Sequence, residues 1–489
     1  MKFQLQRSRC AAHLVHLVQL ASLMLLSACA VGPDYVRPSA ETPAAFKELA
    51  GWKMAQPADL ALPAKWWEIY QDPLLNTLEE AANLSNQSLI QAEAQYRQAR
   101  ALVQASRAAY FPTVAANVSQ TRAGGLASSN RSTTGAPSST NLLAIDATWE
   151  PDLWGRVRRS VEASEANAQA SAALLQATRL SIEALLAQNY FQLRSLDADR
   201  QLYDKTVADY RKSLELTQNQ YAAGIVPKGT VVLAQTQLKT TQAQAIDFDV
   251  LRAQMEHAIA LLVGKPPAHF AIAPGSSDTR VPLPPQAIPS ALLERRPDVA
   301  NAERLVAAAN AQIGVAQAAY FPSLTLAASG GYQASALANW ISLPNRLWSV
   351  GPALAQTLFD GGARQAQSDQ AIAAYDAGVA NYRHTVLTAF QEVEDNLAAL
   401  RILEQEAQEQ DEAVRLSRRS VELMLNQYKA GTVTYLDVIT VEASALSNER
   451  TAVDLRNRRL SASVLLIKAL GGGWNAAQLR EAGVPGKRD

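Results

Sequence analysis

The chain has 489 residues, 48% of them hydrophobic and 18% charged, with 45 basic and 45 acidic side chains and a formal net charge of +0. This balance excludes a disordered chain and removes any electrostatic case for capturing nucleic acid. What remains is a folded protein whose two cysteines, Cys10 and Cys29, both lie near the N-terminus.

Lys2, Arg7 and Arg9 precede an apolar stretch from Leu14 to Leu26. That is shorter than the ~20 residues a helical membrane span needs, so residues 1–28 read as a cleaved signal peptide. The stretch ends in Leu26-Ser27-Ala28-Cys29, which resembles the bacterial lipobox. The resemblance implies that Cys29 is acylated and becomes the first residue of the mature protein, and that Ala30 behind it permits sorting to the outer membrane. Cys10 leaves with the signal, so the mature chain can form no internal disulfide. Residues 29–73 read as an anchored, proline-rich N-terminal segment.

Two copies of one pattern follow. Ser213-Leu-Glu-Leu-Thr-Gln-Asn-Gln-Tyr221-Ala-Ala-Gly224 returns as Ser420-Val-Glu-Leu-Met-Leu-Asn-Gln-Tyr428-Lys-Ala-Gly431, 207 residues later. Tyr110-Phe111-Pro112 likewise returns as Tyr320-Phe321-Pro322. The first repeat, residues 74–265, is expected to contain a helix, strands over 112–122 and 141–150, a long helix, a tip at 221–230 and a returning helix. A proline-rich connection, 266–297, leads to the second repeat, 298–472, with strands over 322–333 and 347–359 and a tip at 428–437. A tail, 473–489, completes the chain.

The long helices are predicted from the absence of proline between Asp152 and Val226 and between Ala353 and Val484. Ile182, Leu186, Asn189, Leu193, Leu196, Arg200, Tyr203, Val207, Tyr210, Leu214, Thr217 and Tyr221 alternate in steps of four and three, an imperfect heptad seam. A helix over 157–221 would be ~100 Å long, sensible only for crossing a space. Alanine-rich runs such as Ala163 to Ala173 suit helices lying closely side by side. In 142–149, Leu143, Ile145, Ala147 and Trp149 alternate with Leu142, Ala144, Asp146 and Thr148, the weak alternation of a transmembrane β-strand. Four strands are too few for a barrel of about 8 or more, and open edges are not tolerated in lipid, so several copies of the chain must share one barrel.

At this point the chain resembles the TolC-type outer membrane factor family, in its lipoprotein branch. The carriers are Cys29-Ala-Val-Gly-Pro-Asp34-Tyr-Val-Arg-Pro38, Trp66-Trp67-Glu-Ile-Tyr-Gln-Asp-Pro73, the two Tyr-Phe-Pro signals, Asp152-Leu-Trp-Gly-Arg156, Arg295-Arg-Pro-Asp-Val299 and Leu358-Phe-Asp-Gly-Gly362. The resemblance implies a mainly α-helical homotrimer whose 12-stranded outer membrane β-barrel continues into a 12-helix periplasmic tunnel. The proline-rich segments, with Asp34 to Pro38, would form an equatorial girdle. The implied partners are a periplasmic adaptor and an inner-membrane pump of the RND type; the only prosthetic group implied is the lipid on Cys29, with no cofactor or metal. The implied function is passive conduction of drugs or other small molecules to the exterior, with no enzymatic activity.

The resemblance also carries site residues. Asp437 matches a gate position where acids from three protomers ring a constriction; an N-terminal helix carboxylate is the other reading of it. Thr230 and Thr440 stand where further gate acids occur in the family. Tyr428 matches a latch tyrosine and equally suits a seam filler, while Val433 replaces a polar latch partner. Gly224, Ile225, Val226, Gly431, Thr432 and Val433 are the expected adaptor contacts. His257, His269 and His384 lie in unrelated contexts, and Gly471-Gly-Gly-Trp474 reads as a helix stop, so no catalytic constellation is found. The competing reading is a periplasmic coiled-coil lipoprotein without a pore.

Overall fold

A computed structural model describes residues 31–43, 45–49, 65–124, 138–275, 279–282 and 295–476. Cys29, the leader and Ala30 lie outside these residues. Seven helices and four strands carry the architecture: α1 Pro73–Ser85, α2 Gln87–Ala108, β1 Thr113–Ala123, β2 Ser138–Trp149, α3 Arg156–Ala222, α4 Lys228–Leu262, α5 Pro297–Ala318, β3 Ser323–Ala334, β4 Arg346–Ala355, α6 Ala363–Lys429 and α7 Tyr435–Ala469. The duplication is exact in helix length: α2 and α5 have 22 residues, α3 and α6 have 67, and α4 and α7 have 35. At 1.5 Å per residue, α3 and α6 each rise about 100 Å.

The repeats start alike. Phe111 and Phe321 each donate a backbone bond three residues back to close a helix, and the following proline opens a strand. Both long helices begin under an aspartate. Asp152 accepts from the amides of Val157 and Arg158, each at 2.9 Å, and Asp360 from those of Gly362 and Arg364 at 3.1 and 3.2 Å. A carboxylate at this end satisfies amides that have no intrahelical partner.

Two expectations are refined. The first helix of repeat one is two helices, because Asn86 accepts from the amides of Ser88 and Leu89 and donates to the Leu262 carbonyl at 2.8 Å, capping α2 and tying it to the end of α4. The strand expected over 347–359 stops at Ala355, leaving Leu358 and Phe359 exposed, because its partner β3 begins at Ser323 behind Pro322, which has no N–H to extend the ladder. Residues 34–38 belong to the unit that holds the strands, and Trp66 to Tyr70 to the other.

The two compact units are not the two repeats; each draws on both. The first collects residues up to Ser39, Tyr96–Ala170 and Ala302–Tyr382, and the second Ala40–Gln95, Ser171–Asn301 and Arg383 onward. In the first unit, alanines form much of the helix contact: Ala163, Ala166 and Ala170 on α3 are buried, as are Ala302, Ala307, Ala308 and Ala311 on α5. The extended segment 31–37 is fastened here. Arg159 donates to the carbonyls of Val31 and Gly32 and to Asp34, Asn310 to the Pro33 carbonyl, Tyr35 to Glu303 and Arg37 to Tyr382.

In the second unit, Trp66, Trp67 and Tyr70 enter a core with Leu75, Leu186, Tyr190, Phe191, Leu193, Ile259, Leu460 and Val464. The seam read from the sequence is buried at Leu186, Leu193, Leu196, Tyr203, Tyr210 and Thr217, but Tyr221 is exposed. The connection after α4 is strapped by charge: Arg194 and Arg252 both pair with the buried Asp197 and donate to the carbonyls of Ala273 and Ile272.

Candidate functional site: the sheet and the helix tips

The four strands form one antiparallel meander in the order β1-β2-β3-β4. Residues opposite each other share a face, so the register sorts the side chains. Val114 opposes Ala147 and Val118 opposes Leu143; Ile145 opposes Gly330 and Trp149 opposes Leu326; Ala328 opposes Val350 and Leu324 opposes Leu354. This face is therefore apolar except at its hairpin end, where it carries Gln120, Arg122, Ser139, Asn141 and Arg346, and Trp348, Val350 and Leu354 on it are 73%, 74% and 70% exposed. The other face carries Asn117, Ser119, Asp146, Thr148, Thr325, Ser329 and Ser349 beside smaller residues and a few leucines, with Asn117 donating to Asp146 at 2.5 Å. β1 and β4 each keep one unpaired edge.

An apolar face exposed across four strands of 10 to 12 residues has the height of a bilayer-spanning sheet. Among the described residues, no helix is long and apolar enough to cross a membrane.

The tips are built by matched turns. Gly224 and Gly431 adopt φ of +72° and +73°. Behind them the Ile225 amide donates to the Gln220 carbonyl at 2.9 Å, and the Thr432 amide to that of Gln427 at 3.1 Å. These are left-handed helix stops, and the lack of a Cβ is what permits them. Ile225, Thr432 and both glycines are exposed and Val226 is half-buried.

Beyond the turns the copies part. Thr434 caps α7: its hydroxyl accepts from the Asp437 amide at 3.4 Å, and Asp437 Oδ2 accepts from the Thr434 amide at 2.9 Å and hydroxyl at 2.6 Å. The hydroxyl and amide of Thr434 hold the exposed Asp437 carboxyl below the usual carboxylate range. In repeat one the corresponding positions are Pro227 and Thr230, and no side chain caps α4. Thr230 instead closes a backbone turn to the Pro227 carbonyl at 3.0 Å. Thr440 is an exposed residue of α7 that donates to the Leu436 carbonyl at 2.9 Å. Asp437 and Thr440 thus share the first turns of α7, while Thr230 stands in the first turn of α4.

Tyr428 is 4% exposed whereas its counterpart Tyr221 is 46% exposed. Its hydroxyl donates to Gln220 Oε1 at 2.6 Å and lies 3.3 Å from the Thr217 hydroxyl, joining the end of α6 to the end of α3. Its ring centroid is 5.5 Å from that of Tyr435, and Val433 packs on the same small core with Ala234, Val438 and Ile439. Gln220, Thr434 and Tyr435 escaped the sequence reading. Thr434-x-x-Asp437 carries a capping-box signal that would have found the first pair member; nothing in the sequence marks Gln220 over Gln218.

The sequence model for outer membrane efflux proteins matches residues 78–265 and 288–472. The chain is 30% identical over 456 residues to the antibiotic efflux pump outer membrane protein ArpC of Pseudomonas putida, covering 92% of this chain and 94% of that protein. It is 29% identical over 466 residues to the pyoverdine export outer membrane protein OpmQ of Pseudomonas aeruginosa, covering 94% and 96%. Among solved structures, the outer-membrane channel OprN superposes with a TM-score of 0.85 at 30% identity, covering 91% of this chain and all of that one.

Proposed function

The chain belongs to the outer membrane efflux protein family, and from that premise we propose that it is the exit duct of a tripartite efflux assembly. It resides in the outer membrane and passes small molecules outward; the work is done by an inner-membrane pump of the RND type reached through a periplasmic adaptor. The observation that carries the reading is the four-stranded sheet with one largely apolar face, one largely polar face and two unpaired edges. Three copies, edge to edge, make a 12-stranded barrel, and the apolar face then meets lipid while the polar face lines water. A poreless coiled-coil scaffold has no use for such a sheet.

The lipid on Cys29 is part of the same proposal, supported by the lipobox and by the fastening of residues 31–37 to the unit that contains the strands. ArpC and OpmQ are named for unlike cargoes, antibiotics and pyoverdine. A water-filled duct does not need to distinguish them, so the pump selects.

At the tips, Asp437 from three chains forms the gate ring, Tyr428 bonded to Gln220 is the latch, and the turns at Gly224 to Val226 and Gly431 to Val433 receive the adaptor. Support comes from the exposure of Asp437 and Ile225 and from the cross-repeat bond of Tyr428. Planar-bilayer conductance of the purified channel separates gate charge from helix cap. Asp437→Asn removes the charge and Thr434→Val removes the capping hydroxyl while keeping the charge. The gate role predicts raised conductance for Asp437→Asn alone; equal effects of both variants reduce Asp437 to a cap.

A further inference from the structure

Helices α3 and α7 lie against each other within the second unit, and the pairs across them keep one antiparallel register: Gln192 accepts from Asn457 at 2.6 Å, Asp199 faces Asp454, and Asp209 faces Glu442. Two of these three meetings are acid against acid. Glu442 and Asp199 are each only 9% exposed, and one carboxylate oxygen of each, Oε2 and Oδ1, is buried without a hydrogen-bond partner. An ionised buried carboxylate facing a second one is costly unless something compensates it.

Near Asp199 the opposing helix offers Arg450, whose attraction outweighs the repulsion of Asp454 but not the cost of burial. Around Glu442 lies a cavity of about 500 Å³, whose charged lining from α3 is Lys205, Asp209 and Lys212, and from α6 and α7 Arg418, Lys429 and Glu449. Lys212 is paired to Asp209 at 3.1 Å and Arg418 to Glu449, while Lys205 and Lys429 are exposed. Tyr210 and Tyr435 flank Glu442, and the Tyr435 hydroxyl is itself buried without a partner.

We propose that the α3–α7 interface is a proton-operated seam: with Glu442 and Asp199 protonated the helices pack, and loss of those protons strands two buried charges, that of Glu442 against Asp209, and loosens α7. Because α7 begins at the Gly431 tip, the loosening is delivered to the tip turn. Burial first, then Asp209, pushes Glu442 up to about 7; burial and Asp454, against Arg450, push Asp199 up to about 6. A carboxyl whose packed-state pKa is raised binds its proton more tightly when packed. The stabilisation is therefore fully present below the ordinary carboxylate range and is lost as pH rises through about 6 to about 7.

The test is the distance between spin labels at Gln201→Cys on α3 and Ser444→Cys on α7, both exposed positions, in the full chain with labelled copies diluted by unlabelled ones. Between pH 5 and pH 8 the distance should lengthen or broaden, with a midpoint between 6 and 7. Asp199→Asn with Glu442→Gln should flatten that response, and Asp209→Asn, a surface change that removes the charge opposing Glu442, should weaken it and move its midpoint to higher pH. A distance indifferent to pH, a response unchanged in the double variant, or a midpoint unmoved by Asp209→Asn overturns the seam. Its link to the tip rests on the duct reading: a channel whose conductance ignores pH while the distance responds sinks that link alone.

Discussion

Asp437 and Tyr428, the proposed gate acid and latch, each also have a structural role. The capping box accounts for Asp437 as a helix-start carboxylate, and the absence of both its members in repeat one accounts for Thr230. Replacing Thr434 by alanine should cost about 1 kcal/mol of stability, as loss of an N-cap does elsewhere, measured by thermal unfolding in mild detergent. Tyr428→Phe keeps the ring against Tyr435 and loses the hydroxyl's bonds to Gln220 and Thr217, a cost of about 1 kcal/mol; the matching Tyr221→Phe, at an exposed site with no such bond, should be silent. Gly32 is a third case. It has φ of +103°, and a Cβ there would stand 2.5 Å from the Gly314 Cα, so Gly32→Ala should destabilise on the order of 1 to 3 kcal/mol. An unchanged melting temperature would show that the 31–37 segment contributes nothing to the fold.

Among the elements, the long helices and the tips were legible because their signals are local. Proline-free runs, a three-four seam and Gly224 and Gly431 predicted a helix over 157–221, and the structure places it at Arg156–Ala222. The strands were legible within a few residues, except where a partner strand decides the end, as Pro322 does for β4. The break at Asn86 was hidden because its cause, the Leu262 carbonyl, lies 176 residues away. The acids of the α3–α7 seam were hidden for the same reason: Asp199, Asp209, Glu442 and Asp454 look like surface charges until the helices are paired. Adaptor docking is best probed at Ile225, which is 69% exposed, since a change at Gly431 would also strain the turn. Ile225→Arg should abolish efflux complementation while leaving assembled protein in the outer membrane; intact efflux would remove this turn from the contact.

For the whole molecule, the two faces of the sheet make the sharpest distinction. Val118→Arg, on the apolar face, should cost about 2 to 4 kcal/mol near mid-membrane, whereas Asn117→Arg, its neighbour on the polar face, should fold normally and alter ion selectivity. Urea unfolding from lipid vesicles measures the first and reversal potentials the second. The need for partner copies was already present in the strand count, because four strands leave two edges that lipid cannot satisfy. The number three came from the family resemblance, since nothing within one chain counts its neighbours. The most direct test is the mass of the complex extracted from outer membranes in mild detergent, by light scattering with detergent and lipid subtracted. Three chains per particle is the predicted result. A particle of one chain would leave the edges of β1 and β4 open in lipid and would contradict the shared barrel on which the duct depends.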